Sequence, residues 1–168
     1  MKEQRKVVKP ETKPRRFVFV LLDNFTLLCF ASALESLRIA NRMAGRELYS
    51  WNLIGEGGDS VTCSAGTVFN LDGDLGELQR DDTILVCAGV NVQGATSKKL
   101  MAWLRREARK GVTIGGLCTA AYTLAKAGLL DNKKATIHWE NQDSCTEDAI
   151  TLIHKRPESE STGSLWLQ

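Results

Sequence analysis

The chain has 168 residues, 43% hydrophobic and 25% charged, with a formal net charge of +2. That size supports one globular domain with a substantial core, and the charge is too small to argue by itself for a nucleic-acid surface. No apolar run approaches the roughly 18 residues that span a bilayer, and five scattered cysteines without a C-x-x-C pair point to a reduced, cytoplasmic setting.

Residues 1–16 carry Lys2, Arg5, Lys6, Lys9, Lys13, Arg15 and Arg16 against Glu3 and Glu11, with Pro10 and Pro14. Such a segment reads as a disordered, solvated leader, with weak nucleic-acid contact as the alternative. It lacks the apolar stretch of a secretory signal. Residues 17–22 are uninterrupted apolar residues, the mark of a strand covered on both faces. Asp23-Asn24 breaks the pattern. From about Thr26, apolar residues recur with helical period through Leu27, Phe30, Ala31, Leu34, Leu37 and Ile39, and Gly45 stops the helix. Residues 50–54 read as a strand, 55–59 as a turn, and 61–63 with 67–69 as a hairpin. A polar connector over 72–79 leads to a buried strand at 83–88 ending in Gly89.

The spacing then predicts a helix over 97–110, with Leu100, Leu104 and Ala108 on one face. Arg105, Arg106, Arg109 and Lys110 crowd its end, where cations complement the helix dipole. Gly111 caps it. A short strand at 112–114 turns through Gly115-Gly116 into a helix that begins near Cys118 and ends at Gly128, and residues 135–137 form a last strand. Alternating strands and amphipathic helices predict an α/β fold, a mainly parallel sheet with helices on both faces. Ligands in such folds bind outside the carboxyl ends of the strands. The Asp23-Asn24 loop, the Gly89-Val90-Asn91 loop and Cys118 all fall at that rim, and His138 ends its own strand at the same edge.

Cys118 has the layout of a nucleophile elbow with cysteine in place of serine. Helix-start N–H groups there favour an anion, a thiolate or a bound carboxylate. The competing reading is a cysteine that packs a strand–helix junction. With His138 as base, Cys118 meets the minimum for a thiol nucleophile, and backbone N–H groups near Gly89, Val90 and Thr119 are candidate oxyanion donors. Trp139, beside His138, is a candidate wall for a cationic ligand, whereas Trp51 and Trp103 read as packing residues. Cys87 reads as core, the Arg105–Lys110 cations as a solvated helix end, and His154 has no assigned role. No metal or cofactor is expected.

Three runs then resemble a known family. They are Gly116-Leu117-Cys118-Thr119, Leu124-Ala125-Lys126-Ala127-Gly128-Leu129-Leu130-Asp131 and Ala135-Thr136-Ile137-His138-Trp139-Glu140. Together with 21–27 and 33–41 they resemble the amidotransferase-like (PfpI/ThiJ-type) sensor domain of AraC-type, GlxA-like transcription regulators. The resemblance covers about Arg16 to Asn141. It implies a flavodoxin-like fold that senses a small metabolite, a quaternary amine or an amino-acid derivative. DNA binding is implied only through a separate helix-turn-helix domain, and homodimers are common.

Two departures accompany the resemblance. Catalytic relatives place an acid against the cysteine from the helix after strand one, and the aligned residue here is Cys29. Glu35 matches the family's other, structural glutamate. After about Asn141 the chain is polar and leaves the family pattern, so residues 17–141 are expected to form an incomplete sensor domain and 142–168 an anomalous, disordered tail. The reading is a non-catalytic, effector-sensing domain truncated before its DNA-binding part. Its ligand-binding residues would be Cys118, Thr119, His138, Trp139, Gly89, Val90 and Asn24. The alternatives are a free-standing cysteine hydrolase or glyoxalase-like stress protein of the same fold, and a non-functional product of a disrupted gene.

Overall fold

Strand β1 (Arg15–Leu21) runs through the middle of a four-stranded sheet in the computed structural model, which describes residues 13–131 and 133. Its neighbours are β2 (Tyr49–Ile54) and β5 (Thr83–Cys87), and β6 (Thr113–Leu117) lies beyond β5. All pairings in this sheet are parallel. Counting parallel strands alone, the order is 2-1-3-4, the start of a doubly wound flavodoxin-like sheet. The apolar run in β1 is explained by its two faces. Val18, Val20 and Leu22 pack with Ile84 and Val86 beneath the third and fourth helices, while Phe19 and Leu21 pack with Phe25 and Phe30 beneath the first.

β1 starts at Arg15, two residues earlier than expected. The Arg15 guanidinium donates to Thr83 Oγ1 at 3.0 Å, and Arg16 forks onto Asp82, with Nε to Oδ1 at 2.9 Å. These cations are strand residues anchored to β5, which a reading of local charge assigns to the leader.

Helix α1 (Leu27–Ala44) has Thr26 at its N-cap and Gly45 at its C-cap with φ 62°, as expected. Phe30 meets Phe19, Phe25 and Phe69 edge to face at centroid distances of 5.4, 5.5 and 5.8 Å. Near its end, Asn41 Oδ1 accepts from the N–H groups of Leu48 and Tyr49, and Asn41 Nδ2 donates to the Tyr49 carbonyl. β3 (Ser60–Thr62) and β4 (Val68–Asn70) form the expected antiparallel hairpin.

A short helix, α2 (Val92–Ala95), follows Asn91 and was not foreseen, because four residues carry no readable period. In α3 (Lys98–Lys110) the N-cap Ser97 Oγ accepts from Leu100 N–H at 2.9 Å. The inward face carries Leu100, Trp103, Leu104 and Glu107; Ala108 is only half-buried. Glu107 is fully buried, and its Oε1 accepts from Arg106 and Lys110. Arg105 instead reaches the Lys126 and Ala127 carbonyls at the end of α4 (Ala120–Lys126). These basic residues are thus partly structural, not only a solvated helix end.

Gly115 and Gly116 belong to β6 and not to the turn. A Cβ at Gly116 would lie 3.1 Å from Ala120 Cβ and from Leu124 Cδ1, and one at Gly115 3.0 Å from Leu85 Cδ2. They let α4 and β5 approach the strand, so their bare backbone serves packing. The turn itself begins at Cys118, and α4 begins at Ala120. The expected strand at 135–137, the leader up to residue 12 and the tail from 142 lie outside the described residues.

Candidate functional site

Three non-glycine residues among those described have positive φ: Asn24 at 60°, Asn91 at 55° and Cys118 at 56°. They stand just beyond the carboxyl ends of β1, β5 and β6, the three adjacent strands of one sheet edge. Asparagine tolerates this left-handed region, whereas for cysteine it costs about 1–2 kcal/mol and persists only where the surroundings hold it.

Those surroundings are specific. Thr119 Oγ1, next to the cysteine, donates to the Gly89 carbonyl at 2.8 Å and ties the elbow to the β5 loop. Thr26 Oγ1 lies 3.3 Å from Cys118 Sγ. A threonine at an N-cap ordinarily accepts from a helix N–H. Thr26 makes no such side-chain cap, and its hydroxyl faces the thiol. The β1 and β5 loops are joined in turn, with Thr26 N–H donating to Ala88 O at 3.2 Å and Val90 N–H to Asn24 O at 3.1 Å. This junction needs Gly89. A Cβ there would lie 2.3 Å from Asn24 O and 2.6 Å from Thr26 N.

The expected donor set therefore changes. The Val90 N–H is taken by Asn24 and is not free to meet an oxyanion; the Val90 side chain is exposed at the rim. Asn24 keeps its place on the edge, with its N–H bound to the Thr62 carbonyl. His138 and Trp139 lie outside the described residues, so the elbow is described without the base and the aromatic wall expected for it.

Cys29 sits in the first turn of α1 and packs on the cluster that contains Leu117 and Cys87. Burial, and then the nearby Cys118 sulfur, push its thiol above its ordinary value. Among the described residues no carboxylate or imidazole hydrogen-bonds Cys118. Glu35 is exposed and forks onto Arg38. Cys87 is core as expected, with its thiol pushed far upward by burial. Trp103 is also core, its Nε1–H donating to the Gly76 carbonyl at 2.7 Å.

A cavity of about 290 Å³ lies elsewhere on the same rim, lined by Val20, Leu22, Asp23, Glu56, Ser97 and Leu100 among others. No residue of the elbow lines it. Two of its polar lining residues pair with each other, Ser97 Oγ donating to Glu56. The elbow, with its strained cysteine and converging loops, is the stronger candidate. Among the described residues no group of three His, Cys, Asp or Glu side chains is placed to hold a metal ion, and no helix is long and apolar enough to cross a membrane.

Comparison with known proteins adds a lineage to this geometry. Residues 15–162 match the DJ-1/PfpI family. The chain is 40% identical over 134 residues to the HTH-type transcriptional regulator GbdR of Pseudomonas aeruginosa, covering 79% of this chain and 36% of that protein. It is 43% identical over 131 residues to the HTH-type transcriptional regulator CdhR of the same species, covering 78% and 39%. It thus spans well under half the length of these relatives. The crystal structure of an AraC family transcriptional regulator from Pseudomonas putida superposes with a TM-score of 0.66 at 28% identity, covering 78% of this chain and 70% of that one.

Proposed function

The chain belongs to the DJ-1/PfpI family, and we propose that it is the effector-sensing domain of an AraC-type transcription regulator, binding a small metabolite at the Cys118 elbow without turning it over. DNA contact in this reading belongs to a separate helix-turn-helix domain. The observation that carries it is the partner of the cysteine. A thiol-activating site places an acid or a base against the nucleophile, and among the described residues it is the hydroxyl of Thr26 that lies against Cys118, with Cys29 nearby. Similarity to HTH-type regulators at 40% and 43% identity supports the same reading.

The ligand site would comprise Cys118, Thr119, Gly89 and Asn24, with the exposed Val90 side chain at its rim. His138 would act as a polar contact and Trp139 as a wall. The effector class is a quaternary amine or an amino-acid derivative, the setting is cytoplasmic, and the sensing unit is a homodimer. A metabolite panel followed by thermal unfolding tests this. One class should raise the midpoint saturably, by the equivalent of about 2.7 kcal/mol at a hundredfold excess over Kd. A Thr119→Val variant, which frees the elbow from Gly89, should weaken that response. A panel that leaves the midpoint unchanged throughout would count against the reading.

The competing reading is a cysteine hydrolase or glyoxalase-like protein, favoured by the left-handed backbone at Cys118. It predicts consumption of a substrate that stops on Cys118→Ala.

A further inference from the structure

The cavity of about 290 Å³ lies apart from the elbow, between the carboxyl ends of β1 and β2 and the start of α3. Val20 and Ile54 are partners in the parallel register, so the two strands end side by side. Asp23 and Glu56 each stand two positions past the end of their strand, and both line the cavity. Neighbours restrain them: Asp23 Oδ1 accepts from Thr62 N–H at 3.4 Å, and Glu56 accepts from Ser97 Oγ. A carboxylate has about four lone-pair sites, so each keeps acceptors for a ligand. The floor is apolar, since Val20, Leu22 and Leu100 line the cavity and belong to one buried cluster. Among the described residues no Lys, Arg, His or aromatic side chain lines it. Lys99, at the start of α3, is drawn to Asp74 instead, at 2.9 Å.

Two carboxylates above an apolar floor fit a ligand with a positive head and an aliphatic body. Carboxylates only accept hydrogen bonds, which selects the kind of cation. A primary ammonium brings three donors to them, whereas a quaternary ammonium brings none and is held by aromatic faces. We propose that this cavity is a second small-molecule site, taking a primary alkylammonium with its nitrogen between Asp23 and Glu56 and its chain against Val20, Leu22 and Leu100. A volume of about 290 Å³ stands at the low end of ligand-sized cavities, so the aliphatic body is short. The site is separate from the Cys118 elbow and does not rest on the sensor reading.

Titration of the full, isotope-labelled chain with n-pentylammonium chloride, followed by amide resonances, tests this. Tetramethylammonium chloride, pentan-1-ol and sodium pentanoate are the comparators. Pentylammonium should bind saturably, moving the resonances of Asp23, Gly55, Glu56, Ala95 and Ser97 while those of Cys118 and Thr119 stay in place. Each comparator lacks the charge or the ammonium donors and should bind at least about tenfold more weakly. Asp23→Asn and Glu56→Gln retain an oxygen for Thr62 and Ser97, so they keep those bonds and lose only the charge. Each should raise the Kd for pentylammonium about tenfold. The proposal is overturned if pentylammonium does not saturate, or if its shifts centre on Cys118 and Thr119. It is equally overturned if a comparator binds as tightly or if either variant keeps the wild-type Kd. The metabolite panel tests the sensor reading separately.

Discussion

Gly89 has no room for a methyl group, and that constraint governs the elbow. A Cβ there would press on Asn24 O and on Thr26 N and Oγ1, all within 2.8 Å and two of them backbone atoms. Gly89→Ala must therefore part the β1 and β5 loops. We expect a loss of about 1–3 kcal/mol in denaturant unfolding, together with a weakened effector response as Thr26 moves off Cys118. Unchanged stability would mean that the loops are not locked as described. At this scale much was legible. Cys118 announced itself through its place between an apolar strand and a helix of small residues, and Gly89 through its position after a buried strand. Other roles were hidden. That the Val90 N–H is taken by Asn24 depends on a contact between loops more than sixty residues apart in sequence. The burial of Glu107 contradicts its residue type and follows from its place on the inner face of α3.

Among the elements, β1 is the one on which the others depend. Its amino end is fixed by Arg16 and Asp82. Burial alone would push the Asp82 carboxyl up, but the Arg16 hydrogen bond, the Gln79 N–H and the charges of Arg16 and Lys13 together hold it below its ordinary value of 3.8. A carboxyl lowered in the fold stabilises above its unfolded value, and that contribution fades as the pH falls from about 3.8 through the folded value. Asp82→Asn should cost about 1–2 kcal/mol at neutral pH, discounted because Arg16 is partly exposed. The gap from wild type should narrow in acid unfolding series below pH 4; a gap that stays constant would contradict the pairing. At the other end of the β1–α1–β2 unit, Asn41 makes three hydrogen bonds to the start of β2. Asn41→Ala should cost about 2–3 kcal/mol, since it leaves backbone groups at that start unpaired. A loss under 0.5 kcal/mol would show that the join is held by packing instead.

The unbroken apolar run predicted β1 because a central parallel strand has two covered faces. α1 was legible from its period and its Gly45 stop. The four-residue α2 and the passage of β6 through Gly115-Gly116 were not, because glycine reads locally as a turn while here it makes room for Ala120, Leu124 and Leu85.

Across the whole molecule, the parallel order 2-1-3-4 puts its switch point between β1 and β5, where Phe25 and Gly89 bridge the two loops beside Cys118. Topology therefore delivers the candidate site to the edge where doubly wound sheets bind ligands, and that much followed from the alternation of strands and helices. In the first turn of α1 the residue at position 29 is a half-buried thiol and not an acid. The central claim is binding without turnover. Its most direct measurement incubates the protein with the metabolite that raises its unfolding midpoint and follows that metabolite by mass spectrometry, in parallel with Cys118→Ala. Saturable stabilisation is expected, with the ligand recovered unchanged from both proteins. Consumption of the ligand by wild type that ceases in Cys118→Ala would contradict it and make the elbow an active site.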